Sequence, residues 1–253
     1  MAYRKRKYRK YSRRPYSSKR RKVSKTVWKA SKRAAKSVVN KMVETKRTHV
    51  LDLFAGIQSG VDYGQIGYNP FWAVQFGTEQ NDLIGNELII RYFEIRFWMY
   101  HTAAANLLNM PYYVRFTLVK TGWRIPLTAV TAPFFNPPAQ FWVTGSQSSS
   151  QFLAKWNSNA VTVLGSKTFR LGGITGNTMN GTLGKFGKVK FRKFKGKKTM
   201  DSSYASPVNP PTSGAFLKES QYYVIVQQWT PVSSGSSNDF GLRWETSLYY
   251  KDP

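Results

Sequence analysis

The chain has 253 residues, no cysteine and a formal net charge of +27, from 39 Lys/Arg against 12 Asp/Glu. Lack of cysteine excludes a disulfide framework, a thiolate metal site and a cysteine nucleophile, while 41% hydrophobic and 15% aromatic residues suffice for one large β domain or two small domains. The charge is concentrated: residues 1–47 hold 20 basic residues and one acid, residues 185–198 hold eight basic residues and none, and the remainder holds 11 of each sign, which is the layout of a neutral fold carrying a polycation for a polyanionic partner.

Residues 1–22 are low in complexity, built of Arg, Lys, Tyr and Ser with one Pro. They cannot bury enough apolar area to offset ordering entropy, so a disordered arm is expected. Its cations are Arg4, Lys5, Arg6, Lys7, Arg9, Lys10, Arg13, Arg14, Lys19, Arg20, Arg21 and Lys22. Such residues neutralise phosphates and release counterions. Tyr3, Tyr8, Tyr11 and Tyr16, with Trp28 further on, are interleaved among the charges. Aromatic rings beside cations suit single strands, whose unpaired bases stack on them; the plainer reading is that Tyr is merely tolerated there. The runs Arg13-Arg14 and Lys19-Arg20-Arg21-Lys22 also match a nuclear-localisation signal, as the runs of any polybasic arm do.

Residues 23–47 change character. Val27, Ala30, Ala34, Val38 and Met42 recur at spacings of three and four with lysines between them, which predicts a basic amphipathic helix. Two readings stand: a helix that lies on nucleic acid or on the inner face of a shell, and a weakly helical linker. From Thr48 the period becomes two. His49, Leu51, Leu53, Ala55 and Ile57 alternate with other residues; so do Ile89, Phe93, Ile95, Phe97 and Met99, then Val114, Phe116 and Leu118, and Leu242, Trp244, Thr246 and Leu248. Alternation of this kind predicts half-buried strands. Further β-rich runs lie at 71–77, 160–171, 186–195 and 222–229, with a weaker one at 140–144. Gly, Pro, Asn and Ser mark loops at 56–70, 133–138, 145–151, 172–187, 201–214 and 231–241. Eight or nine strands and no helix after residue 47 predict an all-β sandwich or barrel, with residues 1–47 a nucleic-acid-binding arm and 48–253 the folded domain.

Within 185–198, cations alternate with apolar residues. On a strand this puts Lys188, Lys190 and Arg192 on one face and Val189 and Phe191 in the core. The cationic face would meet nucleic acid inside a shell or a polyanion outside it, the former being preferred.

Chemistry-bearing patterns are sparse. The two histidines, His49 and His101, have no acid, base or nucleophile close by in sequence, and structural roles are expected of them. Glu79 and Asp82 flank Gln80-Asn81 and could help hold a cation, but a turn before a strand explains them as well and is preferred. The Gly-rich stretch 172–187 carries neither a Walker pattern nor G-x-G-x-x-G. No catalytic residue, metal site or cofactor is therefore expected. The Asn180-Gly181-Thr182 sequon is a three-residue match of low specificity. No secretory signal or membrane insertion is expected: the apolar run 88–100 is broken by Arg91, Glu94 and Arg96, and 125–154 by four prolines.

The order of these features resembles the capsid proteins of small circular single-stranded DNA viruses that encode a replication initiator, the circovirus-like group. The likeness is carried by Tyr3-Arg4-Lys5-Arg6-Lys7-Tyr8-Arg9-Lys10, by Asn81-Asp82-Leu83-Ile84-Gly85-Asn86 leading into a strand, by Val163-Leu164-Gly165-Ser166-Lys167-Thr168-Phe169 followed by Phe194-Lys195-Gly196-Lys197-Lys198, and by the ending Leu248-Tyr249-Tyr250-Lys251-Asp252-Pro253. It departs from the family at Gly165-Ser166, where an acid is usual, and near Leu83, where a basic residue is common. The resemblance implies a single jelly roll of two four-stranded antiparallel sheets. It further implies self-assembly into an icosahedral shell, 60 copies being the smallest such number, with the arm holding a single-stranded DNA genome inside. A virion protein assembled in the host nucleus would also meet a nuclear import receptor and a host-surface polyanion. Two alternatives share parts of this layout: an RNA-virus jelly-roll capsid, and a cellular nucleic-acid-binding protein with a basic tail, such as a ribosomal or chromatin component.

Overall fold

A computed structural model describes residues 24–42, 45–56, 63–77, 82–101, 111–125, 134–143, 152–172, 184–201, 217–230 and 240–252. The chain divides into two compact units, 1–42 and 43–253. In the first, α1 spans Lys25–Met42. Ser24 begins it: its Oγ accepts a hydrogen bond from the Val27 amide at 3.2 Å and its carbonyl accepts one from the Trp28 amide at 3.0 Å, an N-cap that satisfies donors the helix itself cannot. At 100° per residue Lys25, Lys29, Lys32 and Arg33 form one stripe, and Val27, Ala30, Ala34 and Val38 fall on the other side. Both sides are solvent-exposed. The helix is five residues shorter at its C-terminal end than the 23–47 pattern predicts, and Lys46 and Arg47 begin a strand instead.

The second unit contains ten strands among its described residues: β1 Lys46–Gly56, β2 Tyr63–Tyr68, β3 Glu87–His101, β4 Tyr112–Thr121, β5 Phe134–Phe135, β6 Thr162–Leu171, β7 Gly184–Phe191, β8 Gly196–Thr199, β9 Gln221–Trp229 and β10 Phe240–Lys251. They form two sheets, β1-β10-β3-β7 with β8 also paired to β3, and β5-β2-β9-β4-β6. Every pairing is antiparallel. β7 and β8 pair successive parts of β3 and are separated by the 3-10 turn Arg192–Phe194. Counting them as one interrupted strand and β5 as a short added edge leaves eight strands. Each sheet then alternates early and late strands, the two Greek keys of a jelly roll. So counted, each sheet has the four strands expected; with β5 and β8 counted separately, each has five.

The core is where the inward residues of the two sheets meet. Phe93, Ile95, Phe97 and Met99 of β3, Leu242, Trp244 and Leu248 of β10, and Val189 of β7 face Val114, Phe116 and Leu118 of β4 and Val224 and Val226 of β9. Ring contacts tie the layers together: Phe97 to Phe116 at 5.0 Å, Tyr68 to Trp244 at 5.3 Å. Each such side chain contributes roughly 1.5–3 kcal/mol when fully buried. The Tyr68 hydroxyl hydrogen-bonds Thr246 Oγ1 at 2.7 Å across the sandwich, so its burial leaves no unpaired polar group. A second cluster covers the outer face of the β9 and β4 sheet. Val119, Tyr223 and Ile225 point away from the first core and are buried against Ile125, Phe135, Phe141, Trp142 and Val161. Tyr223 anchors that layer, its hydroxyl accepting from the Ile125 amide at 2.9 Å and donating to the Trp123 carbonyl at 3.3 Å.

Two bulges redirect the alternation read from sequence. The β1–β10 register shifts between Val50 and Leu53. Leu53 is buried, but Leu51 is 65% exposed and His49 also faces solvent, while Thr48 is buried. The β10–β3 register shifts between Tyr249 and Tyr250, leaving Arg91 unpaired opposite them. Leu88 and Ile90 therefore join Phe93 and Ile95 in the core and Ile89 does not. An extra residue in one strand reverses the facing of everything beyond it. Other boundaries also moved. β2 lies within the stretch read as loop 56–70, β5 within 133–138, residues 71–73 are a turn, and residues 139–141 a 3-10 turn. The Ile57 end of the first alternation lies outside the described residues.

Candidate nucleic-acid interface

The second basic segment forms β7, the 3-10 turn and β8 along the edge of the β1-β10-β3-β7 sheet. On β7, Val189 and Phe191 are buried and Lys188 and Lys190 point to the outer face, as the alternation predicts. Arg192 corrects it. The strand ends at Phe191, and Arg192 is exposed in the 3-10 turn, so the three cations do not form one strand row.

Nor is that face purely cationic. β3 places Glu94 opposite Lys190 and Arg96 opposite Lys188. Glu94 is 3% exposed, and its Oε1 accepts from Lys188 Nζ at 2.9 Å and Arg96 Nε at 3.1 Å. Burial pushes the Glu94 carboxyl up, but hydrogen bonds from Lys188 and Arg96, with their charges, outweigh it and hold the group below the usual carboxylate range. Arg96 also reaches Glu245 Oε1 at 3.7 Å, and Glu245 Oε2 lies 3.3 Å from His49 Nε2. His49, with no acid close by in sequence, thus has one across the β1–β10 pair. The result is a charged row, His49–Glu245–Arg96–Glu94–Lys188, running across four strands.

Beside it runs an aromatic row. Tyr92 and Tyr249 stack at 4.4 Å, Lys190 Nζ sits 3.4 Å from the Tyr92 ring centre, and the Arg47 guanidinium 5.6 Å from that of Tyr249. These are cation–π contacts. Lys197 pairs with Glu87 at 2.6 Å and Lys198 lies over the Tyr222 ring at 4.6 Å. Arg192, Lys193 and Lys195 are exposed at the turn. The segment is therefore a graded surface: outward cations in the turn, and strand cations already engaged by acids, by rings or, for Lys185, by the Arg170 carbonyl at 3.0 Å.

All arm positions expected to contact nucleic acid, from Tyr3 and Arg4 to Lys22, lie outside the described residues. In α1, Trp28 is exposed and Lys32 Nζ lies 5.1 Å from its ring centre. Glu79 is also outside the described residues, whereas Asp82 precedes β3 and its carbonyl accepts a hydrogen bond from Lys46 Nζ, which pairs with Asp252 at 2.7 Å. Among the described residues no three His, Cys, Asp or Glu side chains are grouped to hold a metal ion, and no helix is long and apolar enough to cross a membrane. The acid partners of Lys188 and His49 are set by strand pairing between residues about 94 and 196 positions apart, which no local pattern displays.

No protein-family model matches the chain, and no curated protein matches it. A solved structure of Desmodium yellow mottle tymovirus is similar at 10% identity and a TM-score of 0.31, over 83% of this chain and 87% of that one.

Proposed function

We propose that the chain is a viral coat protein that assembles with copies of itself into a closed icosahedral shell and packages a circular single-stranded DNA genome through its N-terminal arm. The observation that carries this reading is the partition of charge on a jelly roll. All of the net positive charge lies in residues 1–47 and 185–198, while the rest of the folded unit is balanced. A nucleic-acid-binding protein that works alone spreads cations over its fold; a shell protein needs neutral contact surfaces and a separate polycation. The role is structural, with no catalysis and no cofactor.

In this mechanism the arm supplies affinity and the body supplies geometry. Arg4 to Lys22 neutralise phosphates, and the counterions released drive packaging with little sequence preference. Sixty copies carrying 19 arm charges each bring on the order of a thousand positive charges, enough to neutralise a similar number of phosphates. Lys188, Lys190 and Arg192 add cations on the folded unit, facing the lumen. Arg13, Arg14 and Lys19 to Lys22 serve a nuclear import receptor on the way to assembly in the host nucleus, and the mature protein resides in the virion. An RNA genome would be held by the same chemistry; the DNA assignment rests on the resemblance of the sequence to circovirus-like capsids. Contact of the exposed turn cations with a host-surface polyanion follows if the edge faces outward.

Negative-stain microscopy of the purified full chain tests the reading. Uniform closed shells are expected. A monomer that binds nucleic acid but never closes a shell would instead favour a cellular nucleic-acid-binding protein.

A further inference from the structure

The same sheet carries a third outer row, on the far side of the charged one. β10, β3 and β7 align Arg243, Trp98 and Phe186, and the next row aligns Gly241, Tyr100 and Gly184. Tyr100, Trp98 and Phe186 form a continuous run of rings: Trp98 to Tyr100 at 4.6 Å and 31°, Trp98 to Phe186 at 5.7 Å and 11°. Two glycines let the rings lie close to the sheet. A Cβ at Gly184 would stand 1.8 Å from Trp98 Nε1, and one at Gly241 2.2 Å from the Tyr100 ring. Phe186 is 79% exposed and Leu51, across the same depression, is exposed too, and a contiguous exposed apolar patch marks an interaction surface. With Leu51 and the edge of the charged row, Trp98 and Phe186 line an open depression of about 740 Å³.

We infer that this depression is a base-stacking site for single-stranded nucleic acid, in which one unpaired base lies on Phe186 and Trp98 while its phosphate meets Lys188 and Arg96. The inference rests on the proposed packaging function and adds a contact on the body to those of the arm. Its support is the pairing of a flat aromatic surface with adjoining cations. Lys188 and Arg96 each keep more than half of their side chain exposed while holding Glu94, so both present further N–H donors to solvent. Glu245 also lines the depression, engaged by His49 and Arg96, and Arg243 borders the rings on the β10 side. A base stacks regardless of its identity because every base has a π-face, so the site grips any sequence.

The test uses the full chain, unassembled, with two 15-nucleotide probes: an oligodeoxynucleotide containing 5-iodouracil, and an abasic strand of equal length. Photocrosslinks are expected in the peptides bearing Trp98 or Phe186. Phe186→Ser should weaken binding of the base-bearing probe about tenfold, the low end for one stacked base, and leave the abasic probe unchanged; Phe186→Tyr should restore it. Circular dichroism checks that both variants fold. Unaltered affinity in Phe186→Ser with crosslinks confined to the arm overturns the site and leaves arm packaging standing. If neither probe binds the full chain at low salt, packaging itself fails and the site with it. If Phe186→Ser abolishes particles but not probe binding, the depression is a contact between copies and the inference is wrong.

Discussion

Replacing Lys188 with Gln probes the charged row directly. From sequence, Lys188, Lys190 and Arg192 could all be neutralised without cost to the fold, because Val189 and Phe191 still pack. The structure alters that expectation for Lys188, which donates at 2.9 Å to a carboxylate only 3% exposed. A hydrogen bond to a charged group contributes roughly 1.5–3 kcal/mol. The Lys188 side chain is 52% exposed, so solvent screening brings the loss down to about 1 kcal/mol. Glu94 keeps Arg96 as a partner, which holds the loss below that of an orphaned buried charge. The pH dependence has a definite sign. Because the Glu94 carboxyl is depressed, its contribution is complete above the ordinary carboxylate range, near pH 4.3, and is lost as pH falls through its folded value. Urea unfolding of unassembled protein at pH 7 should shift to a lower midpoint by about 0.3–0.5 M, and the difference from the unaltered chain should shrink as Glu94 protonates. Equal midpoints at pH 7 would show that the pair contributes nothing. A difference that persists undiminished after carboxylate protonation would assign the effect to something other than Glu94.

A Cβ at Gly187 would lie 2.1 Å from the Phe97 ring, so Gly187→Ala should destabilise by about 1–3 kcal/mol through overpacking, read as a lowered unfolding midpoint. Phe116 is fully buried and touches both Phe97 and Trp244; Phe116→Ala should cost about 3–5 kcal/mol, measured in the same way. A peptide of residues 1–22 should bind a mixed single strand with a log K against log salt slope near −7 if about ten phosphates are neutralised. Replacing Tyr3, Tyr8, Tyr11 and Tyr16 with Ser should weaken binding but leave the slope unchanged, since stacking releases no counterions; a slope shallower than about −3 would refute phosphate dominance.

The parts of the fold legible in sequence were those with unbroken alternation. Val114, Phe116 and Leu118, and Leu242, Trp244 and Leu248, are buried where the period of two puts them. The reading failed where one extra residue intervenes: Leu51 and Ile89 lie beyond bulges that turn their side chains away from the expected face. β2 was hidden because Tyr63–Tyr68 contains two glycines and a glutamine. Gly67 is required there, since a Cβ would stand 2.2 Å from the Phe135 ring, and that contact is made by a distant segment. Val119, out of phase with Phe116 and Leu118, is buried as well, because residues 134–143 and 152–161 cover that face. At the interface, cations were legible as a run, but their partners were not. Glu94 reads as a break in an apolar strand until β7 is laid beside it. The boundary between arm and fold is set by similar pairing: Lys46 and Arg47 read as arm cations, yet Lys46 pairs with Asp252 and Arg47 donates to Ser247 Oγ at 3.0 Å.

That boundary fixes where to cut. Removing residues 1–42 deletes 18 basic residues and no acid while leaving β1 intact. The most direct measurement is the nucleic-acid content of particles from the truncated chain, read from the ratio of ultraviolet absorbance at 260 and 280 nm. The account predicts shells or capsomers with the ratio of protein alone, beside filled shells from the full chain. Truncated particles that still package a full-length genome would contradict it.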